Sequence, residues 1–458
     1  MTKEEVRAYL AGKADWFNSL SDAIWEVPET AFEEKKSAEI LCKALEEAGF
    51  AVERGAAGIE TAFIGRFGKG KPVIGFLGEF DALSGLSQEA GIAEKKPIVE
   101  NGPGHGCGHN LLGVGCLEAA MGLKKYLEET GREGTVIYYG CPAEEGGSGK
   151  TFMAREGCFD GLDAAIAWHP GDNCGAVNAG MLANCQVYFH YKGISSHAGL
   201  SPHLGRSALD AVELLNVGVQ FLREHVPTTV RMHYAITNAG GFSPNVVQPK
   251  ADVLYLLRAP DNEVLADVYA RVKRIAQGAA MMTDTEVEVD FVKACSNVIP
   301  NDVLGFIGAD NLREVPAAEF TEEEMAFFAA VSASTGHGNP EQPVKEEVRQ
   351  YFHTDNVIGA SSDVGDVSWI APTVSLETPT WPVGTAPHSW QAVAVGKSAL
   401  AHKSTMKAAA AMTGVAIDLI EQPELLEKAK AELKEKLHGM TYTCPIPAGV
   451  RPRIISNK

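Results

Sequence analysis

Apolar positions along this chain switch between helical spacing and short continuous runs, the pattern of an α/β protein. Ala38, Leu41, Cys42, Leu45 and Ala48 recur on one helix face after Pro28-Glu29, and Gly49 ends that helix. The run at 73–77 reads as a buried strand closing on Gly78-Glu79-Phe80-Asp81. A strand at 135–139 leads into Pro142-Ala143-Glu144-Glu145-Gly146-Gly147, and a strand at 164–167 leads into His169-Pro170. The site motifs should therefore lie just past the carboxyl ends of strands, where open α/β sheets place their ligands. Near residue 183 the pattern changes: strand 186–191, helix 207–224, strands 230–236 and 252–259, helix 263–281 and strand 286–292. That order predicts a small α+β unit whose sheet is covered by helices on one face, with 252–259 central because it alternates poorly. Residues 315–347 read as an acidic, helical surface excursion and 424–438 as a charged, exposed helix.

At 458 residues, with 45% hydrophobic and 22% charged positions, the chain can bury more than one core. Its net charge of -19 argues against a nucleic-acid partner, which would demand basic patches. Met1-Thr2-Lys3-Glu4-Glu5 lacks the basic-then-apolar pattern of a signal peptide, and no run of about 18 apolar residues occurs, so a cytoplasmic protein with no membrane partner is expected. Nine cysteines without tandem pairing fit a reducing compartment. Most of the other eight read as buried small hydrophobes, and Cys107 stands apart because of its neighbours.

Those neighbours are Gly104-His105-Gly106-Cys107-Gly108-His109-Asn110. With Glu144-Glu145, His169 and, in Thr385-Ala386-Pro387-His388-Ser389, His388, they offer thiolate, imidazole and carboxylate from separated loops, the donor set of a catalytic divalent metal site. Adjacent side chains after a strand point in opposite directions, so one of Glu144 and Glu145 can ligate while the other faces substrate. His105 competes with His109 as a ligand. A Cys107–His109 nucleophile pair would leave Glu145, His169 and His388 unused. Gly147-Ser148-Gly149-Lys150-Thr151 resembles the end of a phosphate loop, but Glu144 stands where its first glycine is required.

The order Gly78-Glu79-Phe80-Asp81-Ala82-Leu83, Gly104 to Asn110, Glu144-Glu145, His169, Ser196-His197-Ala198-Gly199, Asn245-Val246-Val247 and His388 resembles the amidohydrolase branch of the aminoacylase and glutamate-carboxypeptidase metallopeptidase family. The resemblance covers essentially the whole chain. It implies a discontinuous metal-binding catalytic domain, 1–183 and 297–458, with two or three layers around a central mixed sheet. It also implies an inserted ferredoxin-like α+β lid and dimerisation domain, 184–296. Two divalent ions per subunit, Zn or Mn, would be held by Cys107 as the bridge with His109, Glu145, His169 and His388. Glu144 would be the general base, and Asp81 would orient an imidazole from behind. Glu79 stands where relatives outside the branch carry a ligand histidine. His197 would stabilise the oxyanion in a partner subunit's site, while Asn245 and Arg258 would contact substrate, the latter through its α-carboxylate. The implied reaction is hydrolysis of N-acyl or N-aroyl amino acids, with p-aminobenzoyl-glutamate leading over indole-acetyl amino acids, hippurate-like compounds and dipeptides. The implied assembly is a homodimer or a heterodimer with a homologous subunit, in which this chain is either the active enzyme or a metal-stabilised partner with little activity alone.

Overall fold

A computed structural model describes residues 1–454. Its larger sheet has seven strands in the order Ala51–Arg54, Phe63–Lys69, Gly134–Cys141, Val73–Glu79, Ala164–Gly171, Thr373–Pro379 and Gly175–Ala176. The inner run from Gly134–Cys141 to Thr373–Pro379 is parallel, and the strands flanking it are antiparallel, so the sheet is mixed. Ile74, Phe76, Val136, Tyr138, Ile166 and Trp168 pack into one core with residues of the helices His109–Thr130 and Ala399–Glu421. Leu77, Ile137, Tyr139, Ala165 and Ala167 belong to a second core on the other face. Burial on both faces is why these strands appear in the sequence as apolar runs.

The smaller sheet is antiparallel, in the order Glu286–Cys295, Ala183–Lys192, Lys250–Ala259, Arg231–Asn238, the arrangement of a ferredoxin-like fold. The helices Ala208–Leu222 and Asn262–Thr283 pack on one of its faces. Lys250–Ala259 is an inner strand, but its burial alternates residue by residue. Its poor alternation in sequence comes from Leu254 and Leu256 on the face that the helices leave uncovered.

Three local expectations are corrected. The strand Ala164–Gly171 runs past His169, which pairs with Glu377 inside the sheet and does not follow the strand's end. The stretch 315–347 is no mere excursion: in the helix Glu322–Ser334, Val331 buries against Trp381, Ala392 and Val395, residues that flank His388 in sequence. The helix Pro423–Lys436 buries Leu426, Ala429 and Leu433. Among the described residues no helix is long and apolar enough to cross a membrane.

The helix that begins at His109 lies hard against the sheet. A Cβ at Gly115 would meet the Trp168 indole at 2.9 Å, and the indole Nε1–H donates to the Leu112 carbonyl at 3.2 Å. Gly115→Val should therefore overpack this contact and lower stability by about 1–3 kcal/mol. Gly278→Ala, in a helix where a Cβ meets nothing within 4 Å, should be neutral or stabilising. Denaturant midpoints of the two variants check both statements.

Candidate active site

Gly108 adopts a left-handed backbone, φ 69°, immediately before the helix His109–Thr130. A Cβ there would lie 2.9 Å from Pro170, so only glycine lets this loop close on the end of the neighbouring strand. That approach sets Cys107 Sγ 3.4 Å from His169 Nε2. The His169 Nδ1–H donates to the Pro170 carbonyl at 2.7 Å, and the His109 Nδ1–H donates to Asp81 Oδ1 at 2.9 Å. Each bond occupies Nδ1 and leaves Nε2 as the ring nitrogen available to a metal. Asp81 Oδ2 also accepts from the Glu145 backbone N–H at 3.0 Å, so one carboxylate orients both the imidazole and the Glu144-Glu145 loop. Glu145 Oε1 in turn lies 3.0 Å from His388 Nε2.

Two donor groups result, each with its ligand atoms within 4.8 Å of one another: Cys107 with His109 and His169, and Cys107 with Glu145 and His388. They share the thiol. His109 Nε2 and Glu145 Oε1 are buried without a hydrogen-bond partner. Their close approaches, to Glu79 Oε2 at 3.3 Å and to His388, have the distance of a hydrogen bond but not its direction. Buried, unpartnered nitrogen and oxygen atoms within reach of one sulfur fit divalent cations. A third group joins Glu79, His109 and Glu144, but Glu79 Oε1 is held by Lys150 Nζ at 2.6 Å.

Burial raises the Cys107 thiol above its ordinary range, with the Glu145 charge adding to the effect. Burial also raises Glu144 well above the carboxylate range, aided by Glu79, Glu145 and Asp363. For Glu145 burial acts upward, but His388 and the charge of His109 outweigh it and bring the carboxyl to about 2. His388 is raised by Glu145.

The loops carrying these groups are strained. Ala143, Ser148 and His388 have φ of 59°, 57° and 60°, left-handed values that cost a non-glycine residue on the order of 1 kcal/mol or more each. Hydrogen bonds hold two of them: the Ala143 N–H donates to Glu34 Oε1 at 2.9 Å, and the His388 N–H to the Gly106 carbonyl at 2.9 Å.

A cavity of about 540 Å³ opens beside the donors, lined by Cys107, Glu144, Glu145, His169 and His388 and, from the smaller sheet, by Asn184, Gln186, Arg258 and Lys293. Arg258 Nη1 donates to Ser361 Oγ at 2.8 Å. His197 and Asn245 are not brought to this cavity. His197 is exposed, its Nδ1 accepting from the N–H groups of Gly199 and Leu200 at 3.2 and 3.0 Å, and Asn245 accepts from the Ala198 N–H through its carbonyl at 2.8 Å. His105 is buried with Nε2 3.2 Å from the Ile24 carbonyl and belongs to neither donor group.

Sequence reading missed Lys150, Asp363 and Lys293. Lys150, fully buried, spans Glu79 and Asp363 at 2.6 Å each, and the Thr151 hydroxyl donates to Asp366 at 2.6 Å. The Gly147–Thr151 run thus ties carboxylates behind the site and is no phosphate cradle. Its signal was a lysine inside an otherwise small, apolar helix start.

Residues 75–447 match the peptidase family M20/M25/M40. The chain belongs to this peptidase family. Its M20 span contains every donor named above, from Cys107 to His388. Among curated relatives of this M20 chain, a p-aminobenzoyl-glutamate hydrolase subunit of Escherichia coli (strain K12) is 47% identical over 459 residues, covering 95% of each sequence. Xaa-Arg dipeptidase of Mus musculus is 30% identical over 440 residues, 93% of this chain and 90% of the relative. Among solved structures, a dinuclear metal-binding peptidase of the M20 family from Bacillus subtilis superposes with a TM-score of 0.55 at 18% identity, covering 89% of this chain and 99% of that one. The last likeness establishes a shared fold.

A shared thiol has a countable consequence. After loading with divalent metal, Cys107→Ala should lose both ions, whereas His388→Ala, which keeps Cys107, His109 and His169 together, should retain about half the metal. Elemental analysis of the dialysed proteins decides this, and a Cys107→Ala protein with full metal content would contradict the shared-thiol arrangement.

Proposed function

We propose that this chain is a metal-dependent amide hydrolase acting on N-acyl and N-aroyl amino acids, with p-aminobenzoyl-glutamate the leading substrate. The observation that carries the reading is the pair of donor groups sharing Cys107, beside a carboxylate, Glu144, that belongs to neither and lines the same cavity. The 47% identity to a p-aminobenzoyl-glutamate hydrolase subunit supports the substrate. Cys107, His109 and His169 would hold one divalent cation, and Cys107, Glu145 and His388 a second. Bound there, two cations supply Lewis acidity toward the amide carbonyl and toward an attacking water. A thiolate in the shared position favours zinc over manganese by softness.

Glu144 does the proton work. Its carboxylate takes one proton from the attacking water as the new C–O bond forms, then delivers it to the amide nitrogen as the C–N bond breaks, leaving a carboxylic acid and a free amine. Burial, aided by the negative neighbours, raises Glu144 and makes it a stronger base. Asp81 holds His109 and the Glu144-Glu145 loop in register throughout. Nucleophilic catalysis by Cys107 is disfavoured, because burial keeps its thiol protonated without a cation beside it.

Glu144→Gln should keep its metal and lose about 10²–10⁴-fold in turnover, since the amide fills the same space but accepts no proton. Glu145→Ala should lose metal as well as turnover. Substrate hydrolysis and metal content, measured on both, separate the two carboxylates; near-normal turnover by Glu144→Gln would end this mechanism. Activity that survives exhaustive chelation yet falls to a thiol alkylator would favour the cysteine alternative.

The assembly reading is a dimer, either of identical chains or with a homologous subunit, as the name of the Escherichia coli relative suggests for that protein. His197 stands exposed in the smaller domain, away from the cavity of its own chain, and would serve as an oxyanion donor in the partner's site. Mixing inactive His197→Ala and Glu144→Gln chains should then restore about a quarter of wild-type activity, because random exchange makes about half the dimers heterodimers with one intact site of two. No recovery after demonstrated subunit exchange would remove the borrowed histidine.

A further inference from the structure

The smaller sheet has two unlike faces. Cys185, Val187, Phe189 and Tyr191 pack into the core with the helices, while the opposite face sets Asn184 in register with Arg258 and Cys295, and Gln186 in register with Leu256 and Lys293. These six residues form one wall of the cavity. Lys293 belongs to that wall because of a bulge. Pairing along Glu286–Cys295 passes from Phe291 opposite Val187 directly to Lys293 opposite Gln186, leaving Val292 as the extra residue. With strict alternation Lys293 would share the core-facing side of Phe291, and the bulge turns it onto the cavity side.

Lys293 is 7% exposed, and its hydrogen bond goes to a backbone carbonyl, that of Glu145, at 3.4 Å. Among the described residues no carboxylate comes within 4.0 Å of its ammonium, and the same holds for the Arg258 guanidinium, which donates to Ser361 Oγ and, at 3.5 Å, to the Gly359 carbonyl. Asn184, in register with Arg258, keeps a buried Oδ1 without a hydrogen-bond partner. In a chain of net charge -19, two cations in one cavity that have no carboxylate within 4.0 Å point to an anionic ligand, since a lysine this buried is ordinarily paired. Strand spacing puts their backbones about 12 Å apart, two strands over and two residues along, so each cation can serve a different anionic group of a single ligand.

We propose that Lys293 binds a second carboxylate in the amine half of the substrate, while Arg258 takes the α-carboxylate, so that the site selects N-acyl derivatives of dicarboxylic amino acids. The assignment rests on the amide-hydrolase reading above. A ligand with a neutral side chain leaves Lys293 desolvated and unpaired, and the loss falls on binding.

The test compares metal-loaded wild type, Lys293→Met and Lys293→Arg on N-(4-aminobenzoyl)-glutamate and its isosteric glutamine analogue, by p-aminobenzoate release and by calorimetric binding. Wild type should prefer the glutamate compound by about 10- to 100-fold in kcat/KM, expressed through KM. In Lys293→Met that ratio should fall to about 1, and Lys293→Arg should restore part of it. Equal losses on both compounds would mean that Lys293 only supports the Glu145 loop, and a wild type indifferent to the charge would likewise overturn the assignment while leaving amide hydrolysis intact. Lys293-dependent tighter binding of the glutamate compound without turnover of either would instead remove the hydrolase reading and leave the carboxylate site standing.

Discussion

The sharing of one buried thiol between two sets of donors is the interaction on which the rest of this structure depends. Cys107 stands between an imidazole pair and a carboxylate–imidazole pair, and each of its four companions comes from a different segment of the larger domain. Bringing them together concentrates negative charge in a buried region, because Glu79, Glu144 and Asp363 lie close behind. Part of that charge is matched by Lys150, a lysine with no exposure at all that reaches Glu79 and Asp363 equally. The remainder lies beside donors suited to divalent cations.

Rigidity at the site comes from the sheet and from strain held in place around it. Parallel strands buried on both faces fix His169 and the starts of the loops after Glu79 and Cys141. The left-handed backbones at Ala143, Ser148 and His388 turn the loops inward, and the bonds from Glu34 and Gly106 keep two of them there. Asp81 links two of these loops through a single carboxylate, so a change at that residue would displace an imidazole and the Glu144-Glu145 segment together.

The smaller sheet contributes a different kind of surface. Helices cover one of its faces, and the other is half-buried and polar, closing the cavity with Asn184, Gln186, Arg258 and Lys293. The side chains able to hold a metal thus stand on the larger domain and the two cations without a carboxylate partner on the smaller, with one cavity between them.

Local pattern alone determined a good deal of this protein. Helical spacing from Ala38 to Ala48, the apolar runs at 73–77 and 135–139 and the change of texture near residue 183 exposed the α/β class and the second sheet, because these are short-range consequences of burial. The histidines, cysteine and glutamates of the site were visible for a different reason: metal-donor residue types set in short glycine- and proline-flanked motifs stand out in sequence. Tertiary structure decided what distance along the chain conceals. It ran the strand through His169, seated Lys150 between Glu79 and Asp363, buried Val331 beneath the segment that leads to His388, and left His197 and Asn245 outside the cavity. A one-residue bulge at Val292 decided the side of the sheet on which Lys293 stands, and no periodicity in the sequence could have revealed it, since a bulge is a property of pairing between strands about a hundred residues apart.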